Sequence, residues 1–394
     1  MNGSRRTVFQ FSAIEALYFA IFAVATYQTV YLQSVGLSSA EIGSIIAMSS
    51  IIGLVTVPIW GIISDSICTA KTTFLISVFV TVILFCFLPL MEKLASGNAG
   101  IFYAYIPLVV IFRQPSNSML DSWCMEELTP KGIKYGSVRL WGSIGYSAVS
   151  LGLGIWLGKS SDVGGAFLLM VPFLIVLWLL CSGIKGSSYV IIKKEDEKGK
   201  FRFALLIQNP KLIVYLIYTL GLNIYLSVTL VFMPYILQAS NCEAGQIGIV
   251  TGVRALLEIL SMMAGSKLAK KFQLSRIMIL PGILFGIEHL LYRFAFNLGG
   301  ILLIMVLSGL AGGFFYSLGP SYIHSIVPKE VAATAQTCNA MTMTLVGVIG
   351  SAMGGSVIER WGAHALTTGC GILILSLTAG FAISLKLMEM KKIS

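Results

Sequence analysis

The chain has 394 residues, of which 56% are hydrophobic and 11% charged, with a formal net charge of +10 and a mean hydropathy of +0.87. Soluble domains carry about 25% charged residues, so a water-soluble enzyme is excluded, as is a disordered chain. A membrane-crossing helix needs about 20 mostly apolar residues, which gives this length room for about a dozen.

The opening MNGSRRTVFQFSAIEALYF is basic and then apolar, lacks a small-residue cleavage site and runs on into a full-length span. It reads as a first helix rather than a removed signal peptide. Apolar runs bounded by charges, glycines and prolines predict spans beginning near residues 8, 40, 72, 100, 137 and 163. The least apolar stretch follows, Lys185 to Phe203, ending in IKKEDEKGKFRF, and six more spans begin near residues 211, 243, 275, 299, 333 and 362. The expected fold is therefore an all-α membrane protein, with twelve transmembrane helices in two pseudo-symmetric six-helix bundles. The bundles would be residues 1–184 and 204–394, joined by a cytoplasmic linker loop over 185–203.

Twenty of the 27 Lys and Arg residues fall on the face that holds the termini and the central loop, and three (Lys93, Lys159 and Arg360) on the opposite face. Basic loops stay cytoplasmic, which predicts a multi-pass protein of the cell membrane with both termini inside. An internal repeat supports the count: Ala40-Glu41-Ile42-Gly43 opens the second span, and Gly245-Gln246-Ile247-Gly248 opens the eighth, 205 residues later. Parallel six-helix repeats are a transporter architecture, with a solute site near mid-membrane. The seven cysteines show no CxxC spacing, so neither a metal site nor a disulfide is expected.

Four basic residues (Arg113, Arg139, Arg254, Arg293) and four carboxylates (Glu15, Asp121, Glu258, Glu288) lie within spans. A charge at mid-bilayer costs at least ~2.5–3.5 kcal/mol, so it usually faces a cavity or a partner. Ion pairs that fix helix registry are the alternative for any one of them. Arg254 and Glu258, four apart, share a helix face. Glu288 beside His289 has the chemistry of a reversible proton carrier, although a lone histidine in a span more often satisfies a neighbour. Glu15 is either a cavity acid or a residue near the headgroups. Asp121 and Arg139 sit on consecutive spans joined by a short loop and are expected within pairing reach. Trp141 and Tyr146 add aromatic surface, and a guanidinium with stacking aromatics suits hydroxyl-rich or anionic solutes.

The two six-helix halves, the central loop, and GIISD from Gly61 to Asp65 with Lys71 after the second span resemble the major facilitator superfamily over nearly the whole chain. Its loop motif is imperfect here, since SICTAK replaces the usual basic residues. The stretch from Asp121 to Tyr146 is similar to the lactose permease and oligosaccharide:proton symporter branch. In that branch an acidic residue and an arginine eighteen positions apart bind solute, and a following aromatic residue stacks on the sugar ring. The resemblance puts Asp121, Arg139 and Tyr146 in those roles. Glu258 is the nearest match to the branch's carboxylate on helix 8, and its helix 10 histidine and glutamate have no counterpart where Leu310, Gly312 and Gly313 stand.

These readings predict a secondary active transporter rather than an enzyme, importing a small sugar-like or hydroxylated solute with a proton by alternating access. Asp121, Arg139, Tyr146 and Trp141 would bind solute from one half, and Asn223 and Tyr225 from the other. Glu258, Glu288, His289 and Glu15 are the proton-coupling candidates, and Gly61, Asp65 and Lys71 form a gating loop. The expected partners are the solute, the coupling proton and the lipid bilayer, with no cofactor, metal or nucleic acid, and the chain is expected to be a monomer. An exporter of amphipathic compounds on the same fold is the alternative, and a non-transporting membrane sensor is the alternative from another class.

Overall fold

The computed structural model describes residues 3–95, 100–158, 162–184, 206, 208–268, 271–328 and 331–390. The predicted linker, 185–203, lies outside the described residues. Twelve long helical segments follow in order: α1 (Gly3–Ala25), α2 (Ser39–Ser66), α3 (Ala70–Ala95), α4 (Gly100–Leu128), α5 (Tyr135–Leu157) and α6 (Val163–Ser182), then α7 (Pro210–Thr229), α8 (Ile247–Leu268), α9 (Leu274–Phe294), α10 (Leu298–Ile326), α11 (Ala332–Trp361) and α12 (Ala363–Met390). Their starts fall within a few residues of the predicted ones. Among the described residues, eleven helices are long and apolar enough to cross a membrane. The exception is α4, which carries Arg113, Asp121, Glu126 and Glu127.

Local signals set the helix ends. Ser38 and Glu41 form a reciprocal capping box at the start of α2, and Asn209 accepts from the backbone N–H of Lys211 and Leu212 with Pro210 at the first turn of α7, each satisfying otherwise orphaned donors. Gly132 turns the chain between α4 and α5 at φ 65, and Gly362 does so between α11 and α12 at φ 81, conformations that cost a side-chain-bearing residue more than glycine. Two helices are interrupted. α1 breaks at Thr26 and Tyr27 before a short helix, Gln28–Ser34, and the last turn of α7, Tyr225–Thr229, is π-helical before a second segment, Met233–Ala239. Single π turns frequently sit at functional positions.

The chain divides into two compact units, Met1–Lys193 with Ala244–Ala255, and Lys194–Glu243 with Leu256–Ser394. The predicted bundles differ from these in one segment: the start of α8 groups with the first unit. Its glycines account for this. A Cβ at Gly248 would strike the carbonyl of Ser150, and one at Gly252 would come within 2.8 Å of Leu151, so backbone meets backbone along α5. Tyr27 O–H also donates to the carbonyl of Gly245 at 3.0 Å.

Within the first unit α1 packs on α5 and α6, and α3 on α4; within the second, α7 packs on α11 and α12, and α9 on α10. The same pairs thus recur six helices later, as the internal repeat requires. The outer faces are apolar. Ile51, Leu54, Val55, Ile59 and Ile62 form an exposed stripe along α2, a surface that suits lipid rather than water.

Candidate functional site

The first unit holds a polar cluster where α1, α4 and α5 meet. Along α5, Tyr135, Arg139, Gly142 and Tyr146 are spaced at four, three and four residues and so share one face. Glycine at 142 and 145 lets that face lie against α1. A Cβ at Gly145 would collide with the carbonyl of Ala16, and one at Gly142 would lie 2.9 Å from Arg139 Nη1 and 3.1 Å from Glu15 Oε2. The guanidinium and the carboxylate therefore face one gap, within the ~4–6 Å over which opposite charges act strongly on each other. Arg139 also lies over the Phe19 ring, 4.0 Å from its centroid, a cation–π contact.

Asp121, on α4, accepts from Asn117 Nδ2 at 3.3 Å and from Tyr135 O–H at 2.5 Å. The same phenol lies 3.5 Å from Glu15 Oε1, which also accepts from the Cys124 thiol at 3.5 Å. One O–H cannot serve two acceptors equally, and the short distance assigns it to Asp121. Glu15 is fully buried, and its Oε2 has no hydrogen-bond partner. Asp121 and Arg139 face the same cluster, but no ion pair within 4.0 Å joins Arg139 to either carboxylate among the described residues. Two carboxylates, one guanidinium and a bridging phenol are thus collected in one place with hydrogen-bonding capacity to spare. Tyr146 O–H lies 3.3 Å from Thr26 Oγ1 at the break in α1, seven residues or about 10.5 Å along the helix from Arg139.

Trp141 does not join this cluster. It stands two residues from Arg139 and so on the far side of α5, 47% exposed, beside Arg5, Val8, Phe9 and Ser12. In the loop motif, Gly61 has open space where a Cβ would go, so close packing does not explain a glycine there. Lys71 Nζ donates to the carbonyl of Ile184 just beyond α6 and lies 5.9 Å from the Trp123 ring, tying the start of α3 to the end of α6. Asp65 belongs to α2, and its side chain lies outside the described residues.

In the second unit the predicted residues are absorbed into packing. Tyr225 is fully buried, stacked on Phe285 at 5.1 Å with its O–H towards Met305 Sδ at 3.9 Å, so it cannot present its ring to a solute. Asn223, also buried, donates to Thr342 Oγ1 on α11 at 2.8 Å. Glu288 and His289 do not form the carboxyl–imidazole couple their adjacency suggests, because successive helix positions diverge by about 100°. Glu288 accepts from Tyr292 O–H at 2.7 Å in its own helix. His289 directs Nδ1 at the carbonyl of Phe285 and Nε2 at Thr229 Oγ1, both at 2.6 Å. A carbonyl only accepts, so Nδ1 carries the proton there, and the ring clamps the π turn of α7. Glu258 is half-buried on α8, its carbonyl accepting from Ser261 at 2.9 Å.

Tyr135, Cys124 and Phe19 complete the first-unit cluster and were missed by sequence reasoning. Tyr135 lies four residues before Arg139, Phe19 four after Glu15 and Cys124 three after Asp121, helical spacings that could have pointed to all three.

A family model, the MFS_1 like family, matches residues 10–367. The chain belongs to that family. It is a multi-pass transporter of the major facilitator type rather than an enzyme. It is 25% identical over 381 residues to an uncharacterized transporter, YwbF, of Bacillus subtilis (strain 168), covering 90% of this chain and 86% of the relative. Over 400 residues it is 25% identical to a maltose permease of Geobacillus stearothermophilus, covering 95% of each. The crystal structure of the nucleoside transporter NupG superposes with a TM-score of 0.79 at 17% identity, covering 98% of this chain and all of that one, a likeness of fold.

Proposed function

We propose that this transporter is a proton-coupled symporter of small, hydroxyl-rich, sugar-like solutes in the cell membrane, with both termini cytoplasmic, working by alternating access. The observation that carries the reading is the Glu15–Asp121–Arg139 cluster around Tyr135, in which two carboxylates share one guanidinium without a close ion pair. The name of the maltose permease relative supports the substrate class.

With all three groups ionised the cluster carries one excess negative charge, which is costly in a medium of low dielectric. A proton on Glu15 makes it neutral and leaves Asp121 and the Arg139 fork to bind solute hydroxyls, with Tyr146 offering an aromatic face. Solute and proton then travel together, because the loaded, neutral cluster crosses the low-dielectric stage of the cycle more easily than the charged one. Tyr135, in contact with both carboxylates, holds Asp121 oriented while Glu15 exchanges its proton.

Uptake of labelled maltose into proteoliposomes under an imposed pH gradient tests this. Acid outside is expected to drive accumulation by the unaltered protein. Glu15→Gln is expected to keep solute counterflow and lose the response to the gradient, whereas Glu288→Gln keeps the response and Glu258→Gln tests the remaining carboxylate within a span. Uptake indifferent to the gradient, or Glu15→Gln responding like the parent, would refute the coupling scheme.

A further inference from the structure

A second cation lies deeper in the same unit. Arg113, Asn117 and Asp121 are spaced four residues apart on α4 and share a face, which puts Arg113 about 12 Å along the helix from Asp121. Its guanidinium has five N–H donors, and its Nη1 reaches one acceptor, the neutral Gln28 Oε1 at 3.2 Å, just past the break in α1. No carboxylate lies within 4.0 Å of it among the described residues. A cation at this depth requires a counter-charge or a polar cavity.

A small cavity of about 10 Å³ adjoins it, lined among others by Tyr18, Phe22, Thr81, Arg113 and Ser116, room for about one water-sized group. Two of the hydroxyls lining it are already satisfied. Ser116 gives its proton to the carbonyl of Arg113 at 2.6 Å and so receives that of Tyr18 at 2.8 Å. Thr81, 5% exposed, has no partner for its hydroxyl, and neither does Ser77 one turn earlier on α3. Unsatisfied buried polar groups are rare and call for an explanation. Here the spare hydrogen-bonding capacity is that of a guanidinium and a hydroxyl, a donor set that favours an oxygen carrying negative charge. Phe22 connects the two places: it lines the cavity, it is 39% exposed, and its ring lies 6.2 Å from Phe19 beneath Arg139.

We propose that Arg113 and Thr81 form a carboxylate subsite, so that the transported solute is a sugar-like molecule bearing a carboxylate as well as the hydroxyls held at Asp121 and Arg139. An acidic disaccharide carries both groups and serves as the probe. This rests on the sugar-like solute assigned above and narrows it.

Binding to the purified full-length protein, read by thermal stabilisation, tests the proposal with cellobiouronic acid, its methyl ester, and cellobiose as probes. The acid is expected to bind at least about tenfold more tightly than the ester or cellobiose, the step that a charge-assisted hydrogen bond supplies. Arg113→Gln is expected to remove that preference while leaving cellobiose binding as it was, Arg113→Lys to restore part of it, and Thr81→Val to reduce it severalfold. Thr81→Val also keeps the test open should Arg113→Gln fail to fold. Equal binding of acid and ester by the unaltered protein, or equal weakening of both by Arg113→Gln, overturns the subsite while the sugar reading stands. Chloride protecting as well as the acid does, in an Arg113-dependent way, also overturns it in favour of a small-ion site. If neither acid nor neutral sugar binds, both readings fall.

Discussion

Two buried ionisable sites, one in each unit, stand under opposite conditions. In the second, both ring nitrogens of His289 are engaged, one on a backbone carbonyl and one on Thr229. In the first, Glu15 has an oxygen without a hydrogen bond, Arg139 has no close ion pair, and Arg113 touches one neutral amide. A buried polar group with every valence used stabilises a packing arrangement. One with valences left over has capacity for a further partner. Hydrogen-bond satisfaction therefore distinguishes His289 from the Glu15 and Arg139 cluster where residue type does not.

Substitutions can break this contrast. The largest effect is expected at the cluster: Asp121→Asn or Arg139→Gln should lower solute uptake by roughly 100-fold, the scale of removing one member of a desolvated charged contact, with little change in thermal unfolding. A smaller effect of a different kind is expected at the clamp. His289→Ala should cost about 1–3 kcal/mol of stability by stranding Thr229 and the carbonyl of Phe285, seen as a lower unfolding temperature with uptake per folded carrier unchanged. If His289→Ala instead abolished the response to a pH gradient in a fully folded protein, the contrast between the units would be lost. The smallest effect is expected at Trp141, where replacement by alanine should move both stability and uptake negligibly, within about 0.5 kcal/mol.

Much of the architecture was legible before any coordinates, for a physical reason: lipid demands long apolar runs, and the breaks between them stand out. The same constraint explains why α4 falls short of the hydropathy of its neighbours and yet was recognised, since Arg113 and Asp121 interrupt a stretch otherwise long enough to span. The placement of Asp121 and Arg139 on consecutive spans led to the cluster. What sequence could not supply was partnership. Glu288 and His289 are neighbours in the chain and face different neighbours in space, while Tyr225, a plausible stacking ring by composition, is consumed by Phe285. The departure of Ala244–Ala255 from the second unit was equally hidden, because a glycine pattern marks close approach without naming the helix approached.

The π turn at Tyr225–Thr229 carries a consequence for engineering. An added residue in one turn offsets whatever follows by about 100° of azimuth and 1.5 Å of rise, so the facing of Met233–Ala239 depends on that irregularity being retained. Rewinding the turn to regular pitch with all its residues kept would swing every later side chain of the segment to a new bearing, whereas deleting a single residue from 225–229 as it rewinds would leave their facing as it is. Alignments or chimeras with a relative whose helix is regular there need a one-residue gap at this turn, and without it would misassign the far end of α7 while looking flawless on either side.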